Sequence, residues 1–296
     1  MPRVQASSSS SRPRIAIIGS NGQLGTDLMT ALADHEPVGL THDDIDVSVP
    51  VSVMEALGPQ KPEIVINTAA FNRVDECELS PEKGFLVNAI GTYNLAQACR
   101  ELGALLVHFS TDYVFDGARP EPYAETDRPG PISAYGISKL AGEQFVSYLL
   151  DRSLIIRTSG LYGKAGSRSK GGNFVGTMLK LGREGREIKV VNDQTLSPTY
   201  TFDLAQKVKQ VISHGECGLY HITNQGSCTW YEFAHEIFRI AGIDARLTPA
   251  SSLEYGAPAR RPARSVLRNR MLEETGLGCL RPWDEALRAY LEDLDY

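Results

Sequence analysis

Cysteine is scarce in this chain and never closely paired. Its five cysteines, Cys77, Cys99, Cys217, Cys228 and Cys279, include no Cys-x-x-Cys spacing. The sequence therefore offers neither a zinc ribbon nor the disulfide framework of a small secreted fold, and a reducing compartment is expected. Long apolar runs are missing as well. No segment is uninterrupted over the ~20 residues that cross a bilayer, and the opening MPRVQASSSSSR lacks the apolar stretch of a signal peptide. We expect a soluble, cytoplasmic protein with no membrane partner, whose residues 1–12 form a disordered leader. Positive charge is not in excess either. Thirty lysines and arginines against 36 acidic residues give a formal net charge of −6, which provides no electrostatic footprint for nucleic acid. No internal repeat is visible.

What is present is ordinary globular composition. With 42% hydrophobic and 22% charged residues over 296 positions, the chain can build one full core or two joined lobes. From Arg14 it reads RIAIIGSNGQLGTDLMTALADHEPVGL: an apolar run, a glycine-bearing turn, a helical stretch and a second apolar run. Further apolar runs at 63–70, 104–110 and 154–159 alternate with helical stretches such as FLVNAIGTYNLAQACREL. That alternation predicts an α/β fold with a doubly wound parallel sheet. Ligands of such sheets lie beyond the carboxyl ends of the strands, where Gly19, Ala69, Thr111 and Thr158 fall.

The stretch GSNGQLG sets Gly19, Gly22 and Gly25 at the first strand-to-helix junction. Missing side chains there let backbone N–H groups and a helix N-terminus approach a pyrophosphate. A tight turn with close helix packing would also use glycine, but the position favours a cofactor. Residues 13–160 are accordingly read as a dinucleotide-binding domain. After Ser159 the alternation fades through GKAGSRSKGGNF, and 161–296 is read mainly as a smaller α/β substrate lobe with some segments returning to the first domain. Asp43 and Asp44 stand about 20 residues after the turn, where an acidic side chain meets the adenosine ribose. Thr41 or His42 serves equally as that strand end, so NADPH and NADH are not distinguished. Asp46 and Val47 have the form of an acidic-apolar pair beside adenine, and equally of a helix-start loop.

In AYGISKLAGEQF, Tyr135 and Lys139 stand four residues apart and so share a helix face. Such pairs are common on solvated helices, so the context decides. HFSTDYVFDG brings Ser110, Thr111 and Asp112 to the end of the preceding strand, toward the same crevice. A ketone that accepts hydride develops negative charge on oxygen and needs a proton donor and a second hydrogen-bond donor. Tyr135 and Thr111 supply these. An adjacent ammonium stabilises phenolate and would bring the phenol toward the working range; Lys139 fits that role and can also hold the nicotinamide ribose.

Taken in order, Gly-x-x-Gly-x-x-Gly, NTAA, STDYVF and YGISK resemble the extended short-chain dehydrogenase/reductases, a Rossmann-type superfamily. NTAAFNRVDECE, VNAIGTYNLA, STDYVFDG, YGISKLAGE, NFVGTMLKL, SPTYTFDLA, GLYHIT, TWYEFA and PARRPARSVL further resemble segments of the dTDP-4-dehydrorhamnose reductase family, from Arg14 to the C-terminal helix. The resemblance implies hydride transfer from NADPH or NADH to C4 of a dTDP-linked 4-keto-6-deoxy sugar, giving dTDP-L-rhamnose. Tyr135 would be the proton donor, with Thr111 and Lys139 completing the catalytic set. By the same matching, Gly19, Gly22, Gln23, Leu24 and Gly25 would hold the pyrophosphate, with Ala69 and Ala70 beside the dinucleotide. Asp112 would lie near the sugar with Thr111. Asn88 matches too, with a helix-to-strand hydrogen bond as an equal alternative. Arg260 and Arg261 resemble substrate-lobe arginines suited to a diphosphate, although charge runs are usually solvated faces. The resemblance allows a homodimer and leaves magnesium open; the sequence shows no metal-ligand cluster.

Two departures from that family touch the sugar end. Where it commonly reads Arg-Thr-Ser-Trp, this chain has RTSG, so Gly160 removes an aromatic wall. NDQTLSPT puts Thr195 and Leu196 where a glycine-bearing turn is usual, and GKAGSRSKGGNF is longer than the usual linker. The exact hexose and the C4 stereochemistry stay open, with a nucleotide-sugar 4-ketoreductase of the 6-deoxy-talose type as one alternative. The other is a non-catalytic regulatory subunit resembling the beta subunit of methionine adenosyltransferase. The intact Thr111, Asp112, Tyr135 and Lys139 favour the enzyme.

Overall fold

Successive side chains of a strand point to opposite faces of its sheet, and here both faces are apolar. In the computed structural model, which describes residue 4 and residues 12–167 and 171–294, the first half of the chain alternates strands and helices. It runs β1 (Ile15–Ile18), α1 (Gln23–Ala31), β2 (Val38–Leu40), α2 (Pro50–Leu57), β3 (Ile64–Asn67), α3 (Val74–Leu79), α4 (Pro81–Phe85), α5 (Thr92–Leu102), β4 (Leu105–Thr111), α6 (Ala134–Leu149) and β5 (Ser153–Thr158). The second half continues with β6 (Leu161–Tyr162), α7 (Phe174–Arg183), β7 (Ile188–Val191), β8 (Thr195–Leu196), β9 (Thr199–Tyr200), α8 (Thr201–His214) and β10 (Gly218–His221). It closes with β11 (Cys228–Thr229), α9 (Trp230–Ala241), β12 (Leu247–Ala250), α10 (Ser252–Tyr255), α11 (Arg270–Glu274) and α12 (Trp283–Glu292).

Ile15, Ile17, Ile64, Ile66, Leu105, Val107, Leu154 and Ile156 pack with Leu24 and Leu28 of α1 and Leu204 and Val208 of α8. The residues between them, such as Ala16, Ile18, Val65, Leu106 and Ile155, pack with Val53 of α2, Leu95 of α5 and Val146 of α6. The result is a doubly wound sheet of order β10-β5-β4-β3-β1-β2 with every pairing parallel, as the strand-helix alternation implied. The chain turns outward at β1, with β2 on one side and β3 on the other, which opens a crevice beyond the strand carboxyl ends.

The second half does not stay apart. β10 pairs with β5 at the edge of the main sheet, and α8 packs beside α1. Its remaining elements share a separate apolar cluster built on Tyr162, Tyr200, Phe233 and Tyr290 among α7, α9 and α12, flanked by three two-stranded ladders, β12 with β7, β11 with β8 and β6 with β9.

Where it is described, the leader expected to be disordered is anchored, at Val4 and at Arg12, whose guanidinium donates to the Asp34 carbonyl. Val4 is buried in the cluster under α1 and α8 and donates its N–H to the Gly215 carbonyl at 3.1 Å, because an apolar side chain gains from that site. The other leader positions through residue 11, and residues 168–170 of the lengthened connection, lie outside the described residues. No described helix is long and apolar enough to cross a membrane.

Candidate active site

The carboxyl ends of β1, β3, β4 and β5 open onto one cavity of about 990 Å³. At its first end the chain leaves β1 through Gly19, whose φ of +76° and whose missing Cβ, 2.7 Å from Thr68 Oγ1 if present, exclude other residues. Gly22 caps α1 without a side-chain bond, and no acidic residue sits in the first turn. The first amides of α1 thus stay free for an anion, with the helix dipole in support. Gly19, Gly22, Gln23 and Leu24 line the cavity. Gly25 does not: it is buried behind the turn, and a Cβ there would lie 2.1 Å from the Gly19 carbonyl oxygen.

Ala69, Ala70, Asp46 and Val47 also line the cavity. The Asp46 carboxylate accepts from the Ser48 N–H at 2.9 Å and hydroxyl at 2.7 Å, bonds that hold it below the usual carboxylate range. It therefore also makes the helix-start turn that was its alternative reading. Asp44 turns back on Thr41, accepting from its N–H at 2.8 Å and its hydroxyl at 2.7 Å; Thr41, His42 and Asp43 face the cavity instead. Asn88 takes its structural alternative. It lies in a π-helical turn over Leu86–Gly91, accepts from Phe71 N–H at 2.8 Å, and donates to Phe71 O and Ser138 Oγ, each at 3.0 Å.

The second end of the cavity holds the groups able to act on a carbonyl. Ser133 caps α6 by accepting from the Gly136 N–H, so Tyr135 stands in the first turn and Lys139 one turn deeper. Tyr135 packs edge-on against Tyr113, ring centroids 5.8 Å apart, and its hydroxyl hydrogen-bonds with that of Thr111. Lys139 Nζ donates to the Phe109 carbonyl at 2.6 Å. Burial pushes Lys139 down to about 8, with Glu143 opposing. The expected lowering of the phenol by this ammonium is not realised: burial raises Tyr135 well above its usual range, and the bond with Thr111 opposes it. Desolvation of the phenolate is the dominant cause. The phenol is thus held protonated, the form a proton donor needs.

Thr111 donates to Asp112 Oδ1 at 3.1 Å, while Asp112 Oδ2 accepts from Ser159 Oγ at 2.8 Å and Ser265 Oγ at 2.5 Å. Burial raises this carboxyl to about 6 against the pull of its hydroxyl donors. Ser159 and Ser265 line the cavity and escaped the sequence reading. Ser159 follows β5 directly and could have been found there, but Ser265 reaches Asp112 across 153 residues, which no local pattern signals. Also missed was a buried ion pair beneath the site. Arg157 of β5 meets Glu143 of α6 through two bonds of 2.9 and 2.6 Å, and Ser110 of β4 donates to the same carboxylate. Glu143 stands one turn beyond Lys139, so this pair fixes α6 against the strands that carry Thr111.

The two arginines expected at a diphosphate stand apart from the cavity lining. Arg260 is exposed and neither residue lines the cavity. The segment bends at Pro258 and Ala259, with Ala259 buried and Arg260 exposed. Arg261 pairs with Asp75 at 2.9 Å and hydrogen-bonds with the Tyr113 hydroxyl, so it braces a cavity wall instead.

The first end fits a nicotinamide dinucleotide by its own chemistry. The uncapped α1 amides and the left-handed Gly19 suit a pyrophosphate, and Gln23 Oε1 and Thr158 Oγ1 on the cavity lining are buried without a hydrogen-bond partner among the described residues. Among the described residues no three His, Cys, Asp or Glu side chains gather as metal ligands.

The same arrangement recurs in known proteins. A family model described as the RmlD substrate binding domain matches residues 13–296. The chain is 43% identical over 282 residues to the spore coat polysaccharide biosynthesis protein SpsK of Bacillus subtilis strain 168, covering 95% of this chain and 97% of that protein. It is 40% identical over 286 residues to the dTDP-4-dehydrorhamnose reductase of Streptomyces griseus, covering 93% and 92%. The crystal structure of dTDP-4-dehydrorhamnose reductase from Bacillus anthracis strain Ames in complex with NADP superposes with a TM-score of 0.91 at 41% identity, covering 95% and 99%. With sheet, crevice and small lobe all inside the match, this chain belongs to the RmlD substrate binding domain family, bearing out the resemblance read from its motifs.

Proposed function

We propose that the protein reduces the C4 ketone of dTDP-4-dehydro-6-deoxy-L-mannose to dTDP-L-rhamnose, using NADPH or NADH. The observation that carries this reading is that Thr111, Tyr135 and Lys139 share one cavity with the Gly19 to Leu24 turn. The names of its relatives support the substrate. When bound, the reduced nicotinamide supplies hydride. Gly19, Gly22, Gln23 and Leu24 hold the pyrophosphate with the α1 amides, Ala69 and Ala70 flank the dinucleotide, and Asp46 and Val47 border the adenine end.

Tyr135, kept protonated by burial, gives its phenolic proton to the developing alkoxide. Thr111 turns its hydroxyl from Asp112 toward the same oxygen as the second donor. Asp112 tolerates this because Ser159 and Ser265 still bond its other oxygen. Lys139 stabilises the phenolate left behind, its position fixed by the Phe109 carbonyl. The cysteines are free thiols, which supports work in the cytoplasm.

The test is oxidation of NADPH and of NADH in the presence of dTDP-4-keto-6-deoxy-L-mannose generated in situ, with the sugar product identified. dTDP-L-rhamnose supports the reading. A 6-deoxy-talose product moves it to a sister reductase, and cofactor binding without turnover refutes catalysis in favour of a regulatory subunit.

A further inference from the structure

Position 160 is a glycine because another side chain occupies its space. Gly160 has φ +54°, and a Cβ built on it would lie 2.6 Å from Leu196 Cδ1 and 3.2 Å from Pro198 Cα. Leu196 is only 4% exposed, yet both residues line the cavity together with Leu161, Phe174 and Trp230. The rings of Phe174 and Trp230 lie 4.6 Å apart, centroid to centroid. Leu196 is held from two sides. Its strand β8 pairs with β11, Leu196 opposite Cys228, and its neighbour Thr195 accepts from the Ser265 N–H at 2.9 Å. Ser265 in turn bonds Asp112, next to Thr111. A short chain of contacts thus runs from the apolar wall to the hydroxyl that would meet the carbonyl oxygen.

We propose that Leu196, seated on the bare α-carbon of Gly160, is the apolar wall that receives the methyl group of a 6-deoxy-4-ketohexose, and that positions 160 and 196 act as one coupled specificity determinant. The inference rests on the proposed ketone reduction. In such a sugar the methyl-bearing carbon is bonded directly to the carbonyl carbon, so an apolar surface close to the carbonyl site is what distinguishes it from a hexose with a hydroxymethyl group there. A single methyl-sized fit in an apolar pocket discriminates by roughly tenfold or more.

The test uses the full chain and three readouts: NADPH affinity, kcat, and KM for dTDP-4-keto-6-deoxy-L-mannose. Leu196→Asn keeps size and adds polarity. It is expected to raise KM by roughly tenfold with NADPH affinity unchanged. Gly160→Ala alone should also raise KM, because its methyl pushes Leu196 into the cavity. In the Leu196→Ala background the same Gly160→Ala change keeps its φ strain and its 3.2 Å approach to Pro198 Cα but no longer meets Leu196 Cδ1, so the rise in KM it causes should be several-fold smaller. A merely structural contact would move NADPH affinity along with KM. Unchanged KM in Leu196→Asn, or Gly160→Ala effects of equal size in both backgrounds, overturns the inference. Absence of wild-type turnover refutes the reductase reading itself, an outcome distinct from either.

Discussion

Gly25→Ala tests the phosphate-binding turn with one methyl group. The added carbon would lie 2.1 Å from the Gly19 carbonyl oxygen and 2.8 Å from Ser20 Cα, both main-chain atoms that no rotamer change can move. Reaching even a 3.0 Å contact requires the turn and α1 to part by about 0.9 Å. Overpacking of this kind costs ~1–3 kcal/mol. Part of that strain is relieved by displacing Gly19 and the α1 amides from the geometry an anion needs. If it is all felt at the pyrophosphate, the Kd for NADPH rises roughly 5- to 150-fold. Gly176→Ala is the control: it too is a helical glycine without a positive φ, but its added carbon meets only Asn173 Oδ1, at an ordinary 3.6 Å. Calorimetric titration of both variants with NADPH is the assay. Wild-type affinity in Gly25→Ala would refute the argument that this close approach builds the cofactor site.

Three other outcomes are expected. Tyr135→Phe should abolish sugar reduction while NADPH affinity stays near wild type, and near-normal turnover would remove Tyr135 from the role of acid. Asp112 is raised by burial to about 6 from 3.8, so its contribution to stability is complete below pH 3.8 and lost as pH rises through 6. Relative to Asp112→Asn, the wild type should lose on the order of 3 kcal/mol across that window, read by denaturant unfolding at several pH values; parallel profiles would contradict it. Glu143→Gln or Arg157→Met should each destabilise by ~3–5 kcal/mol, since either leaves a buried group unpaired, while replacing both by apolar residues should recover much of the loss. Single variants as stable as wild type would show that the pair does not hold α6.

The sheet was legible because β1, β3, β4 and β5 are apolar on both faces and separated by helices, the pattern of parallel strands covered by helices on both sides. Gly19, Thr111, Tyr135 and Lys139 were legible because each sits at a fixed offset from a strand end or helix start. What escaped was set by contacts between distant segments. Ser265 and Arg157 carry no local signature, and Arg260 and Arg261 read alike in sequence although one is exposed and the other pairs with Asp75. The upward shift of the Tyr135 phenol was not legible, because charge proximity can be guessed from spacing whereas desolvation of the half-buried ring depends on the walls the fold assembles around it.

The entry of β10 into the main sheet bears on how the protein is made. A ribosome must release residues 218–221 before β5 gains its outer neighbour, so the nascent sheet carries an unpaired, apolar edge while the chain between is synthesised. Such an edge invites pairing with other chains. A fragment cut after Gly160 would keep that edge permanently, because β10 alone covers it in the sheet.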